Sequence, residues 1–199
     1  MNNKRYIYAI LAVTLALSTS IRAQSFSVAT NLGCLAELGT FNVEVGYAWA
    51  QHLSYHVGVY YNPFTFGNAD QDDRYEEIVD ENRKMFQYKR EAVAIGARWW
   101  PWHVFSGWWV RGKLQLQGYD RGGVFNPQRY QGTAFGAGVG IGYAWMFSQN
   151  WNIDFGITGW AGYTHENVYE RVNSAKPIEE RNRFFFLPDE LTLSLVYIF

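Results

Sequence analysis

Between Gly132 and Thr164 the chain alternates with a period of two. From Thr133 every second residue is mostly large and apolar, including Phe135, Val139, Ile141, Tyr143 and Trp145. The residues between them are Gly132, Ala134, Gly136, Gly138, Gly140, Gly142 and Ala144. After Ser148-Gln149-Asn150 the pattern resumes, with Trp151, Ile153, Phe155 and Ile157 on one side and Asn152, Asp154, Gly156 and Thr158 on the other. A period of two is that of a β-strand, and two such runs joined by three polar residues predict a long hairpin. The composition of the two faces decides where it folds. A soluble sheet turns its apolar face inward and covers the other with long polar side chains, which a row of glycines does not supply. In a small membrane barrel the bulky residues face lipid and small or polar ones fill a narrow interior, so the glycines have a physical use.

The rest of the chain fits that solution. No stretch after the first residues approaches the roughly 20 apolar residues of a membrane helix, which leaves a closed barrel as the spanning form. Aromatic residues make up 19% of the 199, more than a soluble domain carries, and the net charge of −1 predicts no nucleic-acid partner. Residues 1–23 read as a secretory signal, with Lys4 and Arg5 before the apolar run Tyr6 to Leu17 and a small-residue region ending at Ala23. Residues 24–199 then form one barrel domain. Cys34 is the only cysteine, which excludes an intramolecular disulfide and predicts a strand thiol facing lipid.

Taken in order, the alternation predicts an all-β fold, an eight-stranded antiparallel up-and-down transmembrane β-barrel. Strands are expected at 26–34, 41–49, 54–61, 90–100 and 108–119, then in the hairpin of 132–147 and 151–164, and finally at 191–199. Short connections at Ala50 to Leu53, Pro101 to Ser106 and Ser148 to Asn150 alternate with longer polar ones at Gly67 to Tyr88, Asp120 to Gln131 and His165 to Phe186. Short periplasmic turns against longer surface loops are the rule for such barrels. Charged residues of the longer loops, Glu76, Glu77, Glu179, Glu180, Arg181 and Arg183, are the expected contacts to a partner.

Tryptophans gather beside the three short turns: Trp49, Trp99, Trp100, Trp102, Trp108, Trp109, Trp145 and Trp151, with Trp160 alone elsewhere. Indole rings favour the headgroup level, so Trp49, Trp99, Trp102, Trp108, Trp145 and Trp151 predict a belt at one membrane interface. The final strand alternates Leu191, Leu193, Leu195, Tyr197 and Phe199 and ends on an aromatic residue. With Leu195, Tyr197 and Phe199 it resembles the signal read by the outer-membrane barrel assembly machinery.

The small face also carries charge. Glu44 and Asp154 share it with Arg98, Arg111 and Lys113. Confined charges neutralise one another, because an unpaired one is costly. Arg98 and Arg111 are therefore expected to pair with Glu44 and Asp154 in a plugged interior, since eight strands leave room only for side chains. Two alternatives stand beside this non-enzymatic reading. One is a narrow ion path through the charged network. The other is a lipid-modifying enzyme using His52-Leu53-Ser54 or His165-Glu166, for which the sequence supplies no third group to orient the base. No cofactor or metal ligand set is expected.

Several segments carry a family likeness: Asn42-Val43-Glu44-Val45-Gly46-Tyr47, Tyr61-Asn62-Pro63, Ala97-Arg98-Trp99-Trp100-Pro101, Tyr130-Gln131-Gly132, Gly142-Tyr143-Ala144-Trp145 and Asn150-Trp151-Asn152. Over most of its length the chain resembles a family of small outer-membrane proteins known only as a domain of unknown function. The resemblance implies an eight-stranded barrel, related in architecture to those of the OmpA and OmpX type, and no established activity. Relatives tend to be encoded near surface-fibre components. That implies outer-membrane lipid and the assembly machinery as partners, a possible surface or fimbrial protein as another, and a role in adhesion or envelope assembly.

Overall fold

Each strand keeps its small or polar side chains on one face, and the sheet closes around that face. The computed structural model describes residues 25–36, 38–66, 86–123, 128–171, 174 and 176–199. The signal expected at 1–23 and most of the first long connection, with Glu76 and Glu77, lie outside the described residues. The elements are β1 (Phe26–Asn31), α1 (Leu32–Ala36), β2 (Phe41–Ala50), β3 (Leu53–Asn62), β4 (Thr65–Phe66), β5 (Phe86–Trp99), β6 (Gly107–Gly122), β7 (Arg129–Met146), β8 (Trp151–Tyr169) and β9 (Glu179–Ile198). Eight of the strands run up and down, each antiparallel to its neighbours, and β1 pairs with β9 to close a β-barrel-like ring. The two-residue β4 continues β3 along β5 beyond Pro63, which has no N–H to give to the ladder.

The bulky face points outward on every long strand. Val43, Val57, Ile95, Leu114, Val139, Ile157 and Leu191 are all exposed, Val139 and Leu191 at 74%. Inward, Ser54, Arg98, Arg111, Gln115, Asn152 and Asp154 are buried. The glycine row has a steric reason where it meets Trp109: a Cβ at Gly156 would lie 2.7 Å from the indole, and one at Gly142 would also collide with it. Among the described residues no helix is long and apolar enough to cross a membrane.

Three features differ from the sequence reading. First, β1 stops at Asn31 and the chain turns into α1, so Cys34 is buried against Tyr60, Ala92 and Ala94 instead of facing outward. The cause is local. Asn31 and Asn42 exchange side-chain and backbone hydrogen bonds of 2.6 and 2.9 Å, and Asn31 Oδ1 also accepts from Gly33 N at 2.9 Å, an Asx turn that competes with the ladder. Second, β5 begins at Phe86, inside the connection expected over 67–88, and β6 reaches Gly122 while β7 begins at Arg129, so both ends of the connection expected over 120–131 are strand. Third, most of 165–186 is ladder, with His165 opposite Asn182 and Val168 opposite Glu179, and Glu179, Glu180, Arg181 and Arg183 lie on β9. Polar residues on both faces hid this extension, which cross-strand pairs such as Tyr163 on Phe184, 5.5 Å between centroids, help to hold. Trp100 and Trp109, which the expected belt does not include, are buried inside the ring.

Candidate functional site in the ring interior

The interior is layered. At the short-turn end the connection between β5 and β6 tucks beneath the ring. Trp100 N donates to His52 O and Val104 N to Gln51 O, both at 2.9 Å, and Asn152 Nδ2 donates to Phe105 O. This carries Trp100 and Phe105 inward against Trp109, Val196 and Ile198, an apolar plug. Trp49, Trp99, Trp102, Trp108, Trp145 and Trp151 remain exposed around the same end. Of the carboxy-terminal residues, Tyr197 packs on Trp151 at 4.9 Å and on Phe199 at 4.8 Å, and Phe199 N donates to Phe26 O at 2.9 Å across the closing seam. Leu195 pairs with Thr30 in that seam.

Above the plug lies the charged network. Arg98 donates through Nη1 to Asp154 at 2.7 Å and through Nη2 to Glu44 at 2.5 Å, with its guanidinium 4.6 Å over the Trp109 ring. Arg111 Nη1 donates to the other Glu44 oxygen at 3.1 Å. Its Nη2 reaches Thr158 at 3.0 Å and Glu190 at 3.2 Å. Lys113 pairs with both Asp189 and Glu190, and Arg90 lies 3.6 Å from Asp189. Arg90, Arg98, Arg111 and Lys113 thus face Glu44, Asp154, Asp189 and Glu190, equal numbers of each sign within one low-dielectric space.

Asp189 and Glu190 were not in the sequence-based set. A bulge explains both the omission and their role: the β8–β9 register shifts between Thr158 and Gly159, with Thr158 opposite Glu190 and Gly159 opposite Pro188. The extra residue re-aims the strand, and two consecutive acids point inward with side chains 2% and 6% exposed. Their signal in the sequence was adjacency: two acids in an otherwise apolar run, next to a proline.

Among the enzyme candidates, His52 Nδ1 contacts Trp100 O at 2.9 Å and takes no part with Ser54. Ser54 instead meets His56, Oγ to Nε2 at 2.7 Å, and His56 Nδ1 lies 3.2 Å from Glu44. One tautomer satisfies all of these groups. Nδ1–H gives to Glu44, Nε2 accepts from the Ser54 hydroxyl, and Ser54 Oγ accepts from Trp100 Nε1 at 2.9 Å. Ser54 is wholly enclosed. His165 lies on the outer face, 2.8 Å from Asn182, while its neighbour Glu166 points inward.

Glu166 forms the third layer, at the far end. Its carboxylate takes bonds from Tyr119 and Arg181 at 2.7 Å and lies 3.1 Å from Arg183, while Arg129 forks onto Asp120 at 2.6 and 2.7 Å. Burial pushes the Glu166 carboxyl upward, but the Tyr119 hydroxyl and the two arginines outweigh it and hold it below its usual range. Burial and this same carboxylate push the Tyr119 hydroxyl up to about 12, against the pull of Thr164.

A family model described as a protein of unknown function (DUF3575) matches residues 9–199. No curated protein matches the chain.

Proposed function

Because the chain belongs to the DUF3575 family, whose description assigns no activity, we propose its role from the ring itself: a non-enzymatic integral outer-membrane β-barrel with a closed, charge-neutralised interior. The observation that carries this reading is the inversion of faces, exposed hydrophobic residues outside and paired ions inside. From Phe135 to Trp145 on β7 the outward band spans about 33 Å along the strand and about 25 Å once tilted, the height of a bacterial outer-membrane span. Thr133, His165 and Asn182 mark its upper edge on β7 to β9 and the exposed tryptophans its lower one. The short-turn end then faces the periplasm and the long hairpins the exterior, where they serve adhesion, surface-fibre attachment or envelope assembly. Leu195, Tyr197 and Phe199 on the closing strand suit recognition by the barrel assembly machinery.

Expression in a Gram-negative host tests this. The mature chain is expected in the outer membrane, with electrophoretic mobility that shifts on boiling and no conductance on the scale of a general porin. Recovery as a detergent-free soluble monomer overturns it. Photo-crosslinking from the β8–β9 hairpin identifies the exterior partner. A second reading, a hydrolase, draws on the Ser54, His56 and Glu44 geometry. Loss of any altered lipid acylation in Ser54→Ala would favour it over the structural role.

A further inference from the structure

Trp160 is the one tryptophan that lies away from the short turns. It points inward from β8, buried, in the half of the ring away from the short turns, and packs edge to face on Phe185 with centroids 4.5 Å apart. Both rings line a recess of about 110 Å³ together with Tyr119, Gln117, Arg121 and Arg183. Pockets for drug-sized ligands start at roughly 300 Å³, so this one is on the scale of a single small ring.

Its charge is unbalanced, unlike the layer below. Arg90 and Asp189 in its lining belong to that neutral layer, where Lys113 also engages the acid. Beyond them two arginines, Arg121 and Arg183, line it with no further acid among the described residues. Arg183 leans on Glu166, which Arg181 shares. Arg121 stacks on the Tyr119 ring at 5.1 Å and has no carboxylate partner among the described residues. A guanidinium held over an aromatic ring beside an open recess suits an oxyanion, carboxylate or phosphate, which it binds through paired N–H donors. The aromatic walls suit an apolar ring face, and the Gln117 amide suits hydroxyl groups on it.

We propose that this recess binds one sugar residue carrying a carboxylate or phosphate, as in an acidic glycan. Arg121 takes the anion, Trp160 and Phe185 supply the apolar wall, and Gln117 reads hydroxyls. The site goes beyond the structural role proposed above. It is tested on purified protein in micelles, so its failure leaves the membrane reading untouched and the converse also holds.

The test is saturation-transfer NMR with titration calorimetry on the full chain, using glucuronate, glucose 6-phosphate, glucose, acetate and inorganic phosphate as probes. At least one of the two sugar acids is expected to bind saturably, at least about tenfold tighter than glucose, acetate or phosphate. Arg121→Gln, at an exposed position on the rim, is expected to weaken it by about tenfold, the size of one lost charge-assisted bond. Arg121→Lys is expected to retain part of the binding, which separates anion recognition from damage to the fold. Four results overturn the proposal: neither sugar acid binds, glucose binds as tightly, the free anions compete as strongly as the sugar acids, or Arg121→Gln binds like wild type.

Discussion

At the short-turn end of the interior the main cations are committed: Arg98 spans Asp154 and Glu44, Arg111 spans Glu44 and Glu190, and the Trp109 indole lies under both guanidiniums. At the far end Arg121 stacks on a tyrosine with no carboxylate partner among the described residues, and Arg181 and Arg183 share one glutamate. The same residue types therefore do opposite things in one ring. Where the space is closed, charge is cancelled so that each buried ion is tolerated. Where it opens to water, a surplus costs little and remains available to a ligand. Closure comes from the β5–β6 connection folded beneath the ring, which has no counterpart among the described residues at the other end.

The largest expected effect comes from breaking the closed layer. Arg98→Ala removes the cation that Asp154 and Glu44 share in a buried site, and should cost about 3–5 kcal/mol, measured by guanidinium unfolding in micelles. The matching change in the open half, Arg121→Ala, should stay within about 0.5 kcal/mol. Similar losses from the two would erase the distinction between the halves. Next, outside the ring, Val139→Arg should cost about 2–4 kcal/mol in a bilayer, as for a cation at mid-membrane. Glu180→Arg, on the projecting hairpin, should be close to neutral; a harmless Val139→Arg would mean that this face meets water. Smaller still, Gly156→Val drives a side chain into Trp109 and should cost about 1–3 kcal/mol. Pairing it with Trp109→Leu should return part of that loss.

The legibility of the chain follows the same division. Glu44, Arg98, Arg111, Lys113 and Asp154 could be put on one face because the alternation around them is unbroken, and it also put Trp109 in step with Arg111. Proximity to a turn alone could not separate Trp99, exposed, from Trp100, buried one residue on. What escaped the reading lies where the period fails. The bulge at Asp189 sends two neighbours to one side, and the Asn31 turn ends a strand whose apolar pattern continues through Cys34. The upper parts of β8 and β9 are polar on both faces because both meet water or ions, so no period marked them as strand. Closing contacts between distant segments, such as Trp100 on Ser54, had no local signature.

The mildest test sits in the open half, on Glu166. Its carboxyl is depressed by Tyr119, Arg181 and Arg183, so the unfolded chain holds this proton more tightly than the folded one. The contribution to stability is therefore fully present above the unfolded carboxylate value and is lost as pH falls through the lower folded value. Because Arg181 and Arg183 are 34% and 45% exposed, solvent screening limits the effect to about 1 kcal/mol or less. Amide hydrogen exchange along the upper ends of β8 and β9 should quicken on acidification, while the amides around Asp154 stay protected. In Glu166→Gln the added pH dependence should vanish, since an amide has no proton to gain. If exchange instead quickened equally at both ends, the open half would share the cohesion of the closed one, and the surplus arginines there would need a structural explanation rather than a ligand.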